Sequence, residues 1–375
     1  MNKEKAFGIG CFHFGIKKIP PFKFNGSEYI EEIKKTLSKI PNLNNLKIKT
    51  DDEFESYEEE IIEALPSLEN DLDYFPSPLF FDLEFELYIP YRIQEKIIET
   101  KKKLLDTYSE NFKITIIYSY HSPVTIVEIK NPTKTPGPST AARLIREFIK
   151  EEIENKSDYI KFECIGPSPF HIDCYLKPQK KNNNNWLFNP QESINLGYNK
   201  YILNYNENVF KNSDEALDFL KFPIQNEFGY YYSCVQVRNH KMQSWDSIQK
   251  NLEELQQIQE ATTFGGIYKR LFKRYFLIEK LITDITTFEG EDIINKGIKQ
   301  NEYLEVYPSN EEAFFKTFVD YELKEKIDYP IKQATSLIRF IEDRRVKNLE
   351  LFIILIAAIL GGLIGSLLTI YFQQL

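Results

Sequence analysis

Ser168, His171 and Asp173 lie close together in GPSPFHIDC, residues 166–174, and these are the residue types of nucleophilic hydrolysis. The spacing is not that of a nucleophile elbow, because Pro167 and Pro169 flank the serine where a strand-to-helix turn must keep its backbone free. Alternation along a following strand points His171 and Asp173 one way and Cys174 the other. The stretch therefore reads as a stiff turn between strands. Its ligand-facing version makes Ser168, His171 and Asp173 candidate binding residues, and no catalytic residue is assigned.

Cys11, His13, His171 and Cys174 supply four metal-ligand types, but the cysteines at 11, 164, 174 and 234 form no CxxC pair. No metal site is expected. GIGCFHFG has two close glycines without the strand-then-helix context of a dinucleotide loop, and no phosphate-binding or zinc-protease motif occurs, so no cofactor is implied. In KRLFKRYF, residues 269–276, Lys269, Arg270, Lys273 and Arg274 interleave with apolar residues. On a helix they form one charged strip, either a solvated face or a seat for an anionic ligand or lipid headgroups.

Composition narrows the classes. With 47 Lys+Arg against 56 Asp+Glu, the net charge of -9 lacks the basic excess of a nucleic-acid binder, so no nucleic-acid partner is expected. The aromatic content, 29 Phe and 23 Tyr beside 15 Gly, argues for packed cores rather than disorder. Scattered single cysteines fit a reducing compartment.

The elements that must position these residues are clearest between 79 and 176. FFDLEFELY reads as a strand, RIQEKIIETKKKLL as a helix, and FKITIIYSY and VTIVEIK as a strand pair. AARLIREFIKEEIEN is a helix with Leu144, Ile145, Phe148, Ile149 and Ile153 on one face, and YIKFECI alternates as a strand. This order predicts an α+β fold: a ferredoxin-like (split βαβ) domain with extra strands, over residues 1–240. The polar stretch 177–191 reads as a loop or subdomain boundary, and 230–237 as one more strand. From Trp245 the heptad-like spacing predicts a helical stalk over 241–347.

The tail, 348–375, carries an uncharged run from 351 to 372 that would reach roughly 33 Å as a helix, against a bilayer core of about 30 Å. The expectation is one C-terminal transmembrane helix, single-pass and tail-anchored in the cell membrane. Arg339, Arg344, Arg345 and Lys347 ahead of it imply a cytoplasmic N-terminal domain. Ala357, Gly361, Gly365 and Thr369 form one small-residue row, with Gly362 and Ser366 in a second beside it. Such rows favour helix pairing and hence a homo-oligomer.

A cytosolic α/β domain followed by long helices and a membrane segment resembles the layout of CorA-type magnesium channels. Met1 and Met242 are the only methionines, so the Gly-Met-Asn signature of that family is absent and no ion site carries over. The expected function is a membrane-anchored, oligomeric sensor or effector, of the kind used in bacterial stress or defence. In it the α/β domain answers a small-molecule or protein ligand. A tethered scaffold or binding module, a CorA-like channel and a membrane-bound enzyme are the alternatives.

Overall fold

Burial along Phe81–Tyr88 alternates, with Phe81, Leu83, Phe85 and Leu87 buried and the residues between them more open. One face of that strand enters a core and the other carries polar groups. The same logic builds the sheet around it. The structure, a computed structural model, describes residues 4–16, 23–50, 61–63, 80–99, 107–118, 122–154, 156–164, 172–180, 186–195, 198–260, 264–308, 313–324 and 327–373.

The described strands are β1 (Lys5–Gly10), β2 (Phe12–Ile16), β3 (Lys23–Asn25), β4 (Leu43–Thr50), β5 (Ile61–Glu63), β6 (Phe81–Tyr88), β7 (Asn111–Tyr118), β8 (Val124–Lys130), β9 (Ile160–Cys164), β10 (Ile172–Gln179), β11 (Phe188–Asn195) and β12 (Tyr198–Asn206). The helices are α1 (Gly26–Leu37), α2 (Tyr91–Glu99), α3 (Pro138–Glu154), α4 (Ser213–Glu260), α5 (Phe264–Val306), α6 (Lys316–Leu323) and α7 (Ile331–Gln373).

Eight strands form one mixed sheet in the order β11-β12-β10-β1-β8-β7-β6-β4. β10 and β12 run parallel, and every other neighbouring pair is antiparallel. β2 pairs with β9, and β3 with β5, in separate ribbons. This corrects the ferredoxin-like expectation. A split βαβ unit would seat a third strand between β6 and β7, whereas here β6, β7 and β8 are a meander with β6 bonded directly to β7. The described α2 has nine residues and lies in the connection between antiparallel neighbours, so it makes no crossover. β9 leaves the main sheet to pair with β2.

The chain divides into two compact units, one of Met1–His240 with Gly297–Glu325, the other of Lys241–Lys296 with Lys326–Leu375. In the first unit one core joins β6, β7 and β8 to α1 and α3 through Leu83, Phe85, Ile114, Ile33 and Ile145. The opposite side of the sheet is covered by α4 and α6, with Phe7, Cys174, Leu203, Leu220 and Phe228 buried together. Gly8 is needed where β1 meets the first turn of α3, since a Cβ there would come 2.3 Å from the Pro138 carbonyl oxygen. The segment entering α6 is held by Glu227 of α4, whose carboxylate accepts the backbone N–H groups of Phe314 (2.9 Å) and Phe315 (2.8 Å) just ahead of the helix.

In the second unit, Trp245, Ile248 and Leu255 of α4 pack with Ile278, Leu281 and Ile285 of α5 and Ala334, Ile338 and Ile341 of α7. The stretch 230–237, expected as a strand, lies inside α4. Residues 177–191, expected as a loop, contribute to β10 and β11, with 181–185 outside the described residues.

The membrane expectation is corrected as well. Among the described residues no helix is long and apolar enough to cross a membrane. Glu342, Asp343, Arg344, Lys347 and Glu350 of α7 stand ahead of its apolar residues. A single-pass, tail-anchored placement in the cell membrane with a cytoplasmic N-terminal domain is therefore not supported.

Candidate functional site

The polar side chains of β6, β7 and β8 are brought into rows by strand register. Tyr88 stands opposite Asn111, which stands opposite Lys130, and one pair further along Glu86, Lys113 and Glu128 repeat the arrangement. Alternation puts both rows on the face turned away from the Leu83–Phe85–Ile114 core. At the end of this face lies a cleft of about 480 Å³ lined by Asn44, Glu86, Tyr88, Asn111, Lys130 and Asn131, with Leu87 and Phe112 completing it.

Behind the cleft is an ion lattice centred on Glu128, which is 3% exposed. Lys5 bonds Glu128 and lies 2.7 Å from Asp214; Lys113 sits 3.1 Å from Glu84 and 3.8 Å from Glu128. Burial works against the charge of Lys5, but Glu128 and Asp214 outweigh it and raise its pKa. Burial likewise disfavours ionised Glu84, and Lys113 reverses that and lowers its pKa. Lys130 is 3.9 Å from Glu128, an ion-pair distance longer than a hydrogen bond.

The loops that frame the cleft are fixed by buried hydrogen bonds. The fully buried Gln94 of α2 donates to the carbonyls of Ile89 (2.7 Å) and Ser109 (2.8 Å) and accepts from Thr107 Oγ1 (2.8 Å). Ser109 Oγ donates to the Lys130 carbonyl and accepts the Asn111 N–H at 3.0 Å. Glu110 accepts the Tyr91 N–H (2.7 Å) at the start of α2 and the Tyr88 hydroxyl (3.2 Å), a bond that raises the Tyr88 pKa. A buried amide satisfied on both ends ties two loops, at Ile89 and at 107–109, to one helix and leaves them little freedom.

The backbone at this end is strained. Among the described residues, the non-glycine residues with positive φ are Asn42 (61°), Asn45 (55°), Tyr108 (49°) and Asn131 (48°), and all four belong to the loops and strand ends around the cleft. Asparagine tolerates this conformation; tyrosine adopts it rarely and at a cost of about 1–3 kcal/mol. The register of β4 against β6 slips between Asn44 and Lys47, and the extra residue lets Asn45 donate to Glu86 at 2.7 Å. The lining thus offers amide donors and acceptors, one ammonium, one carboxylate and an exposed tyrosine.

The residues expected from the sequence lie elsewhere. Asp173, on β10, is buried, and its Oδ1 accepts the backbone N–H (2.9 Å) and hydroxyl (2.7 Å) of Ser139 in the first turn of α3, a capping arrangement. Ser168 and His171 lie outside the described residues. Lys269 and Arg270 fall on α5 with side chains outside the description, Lys273 pairs with Glu254, and Arg274 donates to the Ile341 carbonyl at 2.6 Å. Ala357, Gly361 and Gly362 are exposed on α7, where a Cβ on either glycine would meet nothing within 4 Å. Gly365, Ser366 and Thr369 continue α7, with the side chains outside the description.

Burial holds the thiols of Cys164 and Cys174 above their ordinary pKa, so neither is a ready thiolate. Among the described residues no cluster of His, Cys, Asp or Glu could hold a metal ion. The cleft itself was marked in the sequence only by asparagines at strand ends, in PNLNNLK and IKNPT. Compared with protein-family models, curated proteins and solved structures, the chain matches none.

Proposed function

We propose that the protein is a binding module whose α/β unit takes a small polar ligand in the cleft at the ends of β6, β7 and β8. The observation that carries this reading is the concentration of strained backbone around one polar cleft. Of the four left-handed residues Asn131 lines a space of about 480 Å³, Asn42 and Asn45 bond the lining residues Tyr88 and Glu86, and Tyr108 lies in the segment leading to Asn111; that volume is within the usual range of about 300–1,000 Å³ for small-molecule sites. A fold keeps such strain where geometry matters more than stability. The buried Gln94–Thr107–Ser109 network supplies the rigid support that a preformed site needs.

Saturation-transfer NMR with a mixture of small sugars, amino acids and nucleotides tests it. At least one compound should receive saturation from the wild-type chain and lose it with Asn44→Leu and Asn111→Leu, two exposed positions whose substitution leaves the core intact. Signals that persist in both variants would place binding elsewhere. No signal from any compound would count against the reading.

A further inference from the structure

We infer that the ligand of this cleft is uncharged and rich in hydroxyl groups, a polyol or sugar; this rests on the cleft being a ligand site. The charges around it decide the class. Of the two charged side chains in the lining, Lys130 has Glu128 3.9 Å from its ammonium, and Glu86 already accepts the Asn45 amide at 2.7 Å. Glu110, bonded to the Tyr88 hydroxyl at 3.2 Å, adds a further carboxylate beside the lining.

An anion drawn to Lys130 would meet the carboxylate of Glu128, 3.9 Å from that ammonium, and like charges so close repel. A cation drawn to Glu86 or Glu110 would face Lys130 in the same small volume. Neither sign of net charge is favoured. Hydroxyl groups avoid both penalties, since each donates and accepts.

The lining has the matching inventory. The amides of Asn111 and Asn131 each carry an acceptor oxygen and two donor hydrogens, Asn44 adds its oxygen and one hydrogen beside the one given to the Asn42 carbonyl, Lys130 adds donors and Glu86 an acceptor. Tyr88, 38% exposed, offers an apolar ring face for the C–H side of a sugar, with its hydroxyl held by Glu110. A ligand lacking hydroxyls would leave these groups unpaired on binding, which costs affinity.

The test titrates the full chain with glucose, N-acetylglucosamine and inositol as neutral probes, and with glutamate, AMP and spermidine as charged ones. Each titration is run at about 50 and about 500 mM salt, where screening of charge–charge attraction differs strongly. A neutral probe should bind with an affinity unchanged by salt and weakened about tenfold or more in Asn111→Leu, the scale of one lost hydrogen bond. Thermal unfolding checks that Asn111→Leu and Asn44→Leu remain folded. Salt-sensitive binding of a charged probe that both variants abolish, with no neutral probe binding, would overturn the ligand class and leave the cleft standing. Should no probe respond to either substitution, the class and the cleft both fall.

Discussion

Glu227 shows how a single side chain ties stability to pH. Burial pushes its carboxyl up from 4.5 to about 7, against the pull of the Phe314 and Phe315 N–H groups and of Tyr307, while Asp320 adds to the rise. Because the folded value lies above the unfolded one, the folded state holds the proton more tightly. Stability from this group is full below about pH 4.5 and is lost as pH rises through about 7. The difference in unfolding free energy between wild type and Glu227→Gln should therefore change by on the order of 3 kcal/mol between pH 4.5 and 8, with the wild type losing ground as pH rises. Denaturant titrations across that range check it, and a difference independent of pH would refute it. At Asn131, with φ of 48°, Asn131→Ala should destabilise by about 1 kcal/mol and Asn131→Gly should be near neutral, as urea unfolding would show. The sequence marks Asn131 only as an asparagine at a strand end and Glu227 not at all. A glutamate in an amphipathic run and an asparagine after a strand look ordinary until burial and φ are known.

Among the elements, those with a clear period were legible and their partners were not. The strands at 81–88, 111–118, 124–130 and 160–164 and the helix Pro138–Glu154 follow the alternation and the helical spacing of their residues. Alternation states which face is buried but not which strand lies alongside, so the meander was misread as a split βαβ unit. YYYSCVQV, at 230–237, is rich in residues that favour strands. In α4, however, Tyr230, Tyr231, Tyr232 and Val235 are all buried, and packing overrides local propensity. The close approach of β1 and α3 gives a sharper test. Gly8→Ala places a methyl group 2.3 Å from the Pro138 oxygen, so it should lower the melting temperature by several degrees, about 1–3 kcal/mol of overpacking. Gly361→Ala, with nothing within 4 Å, serves as the control that should not lower it and should raise it slightly, since alanine favours a helix over glycine.

Over the whole molecule, the sequence showed a change of character near Trp245 but not that Gly297–Glu325 belongs to the same unit as the first 240 residues. Helices α4 and α5 each contribute to both units, and periodicity within a helix carries no mark of where one unit ends. The apolar tail reads as a membrane span from residue type alone, whereas among the described residues no helix is both long and apolar enough for one. Two units with separate cores lead to a separable prediction. Leu281→Ala, a fully buried truncation in the helical unit, should cost about 2–5 kcal/mol there, read by hydrogen exchange at 241–296. It should leave the cleft asparagines unperturbed in NMR spectra.

The central claim, that the cleft at the ends of β6, β7 and β8 is the binding site, is tested most directly by following side-chain amide resonances during titration with the tightest-binding neutral probe. Asn44, Asn111 and Asn131 should shift together and saturate on one binding curve, with the amides outside the cleft unmoved. Saturable shifts confined to residues remote from the cleft, with these three amides still, would contradict the account.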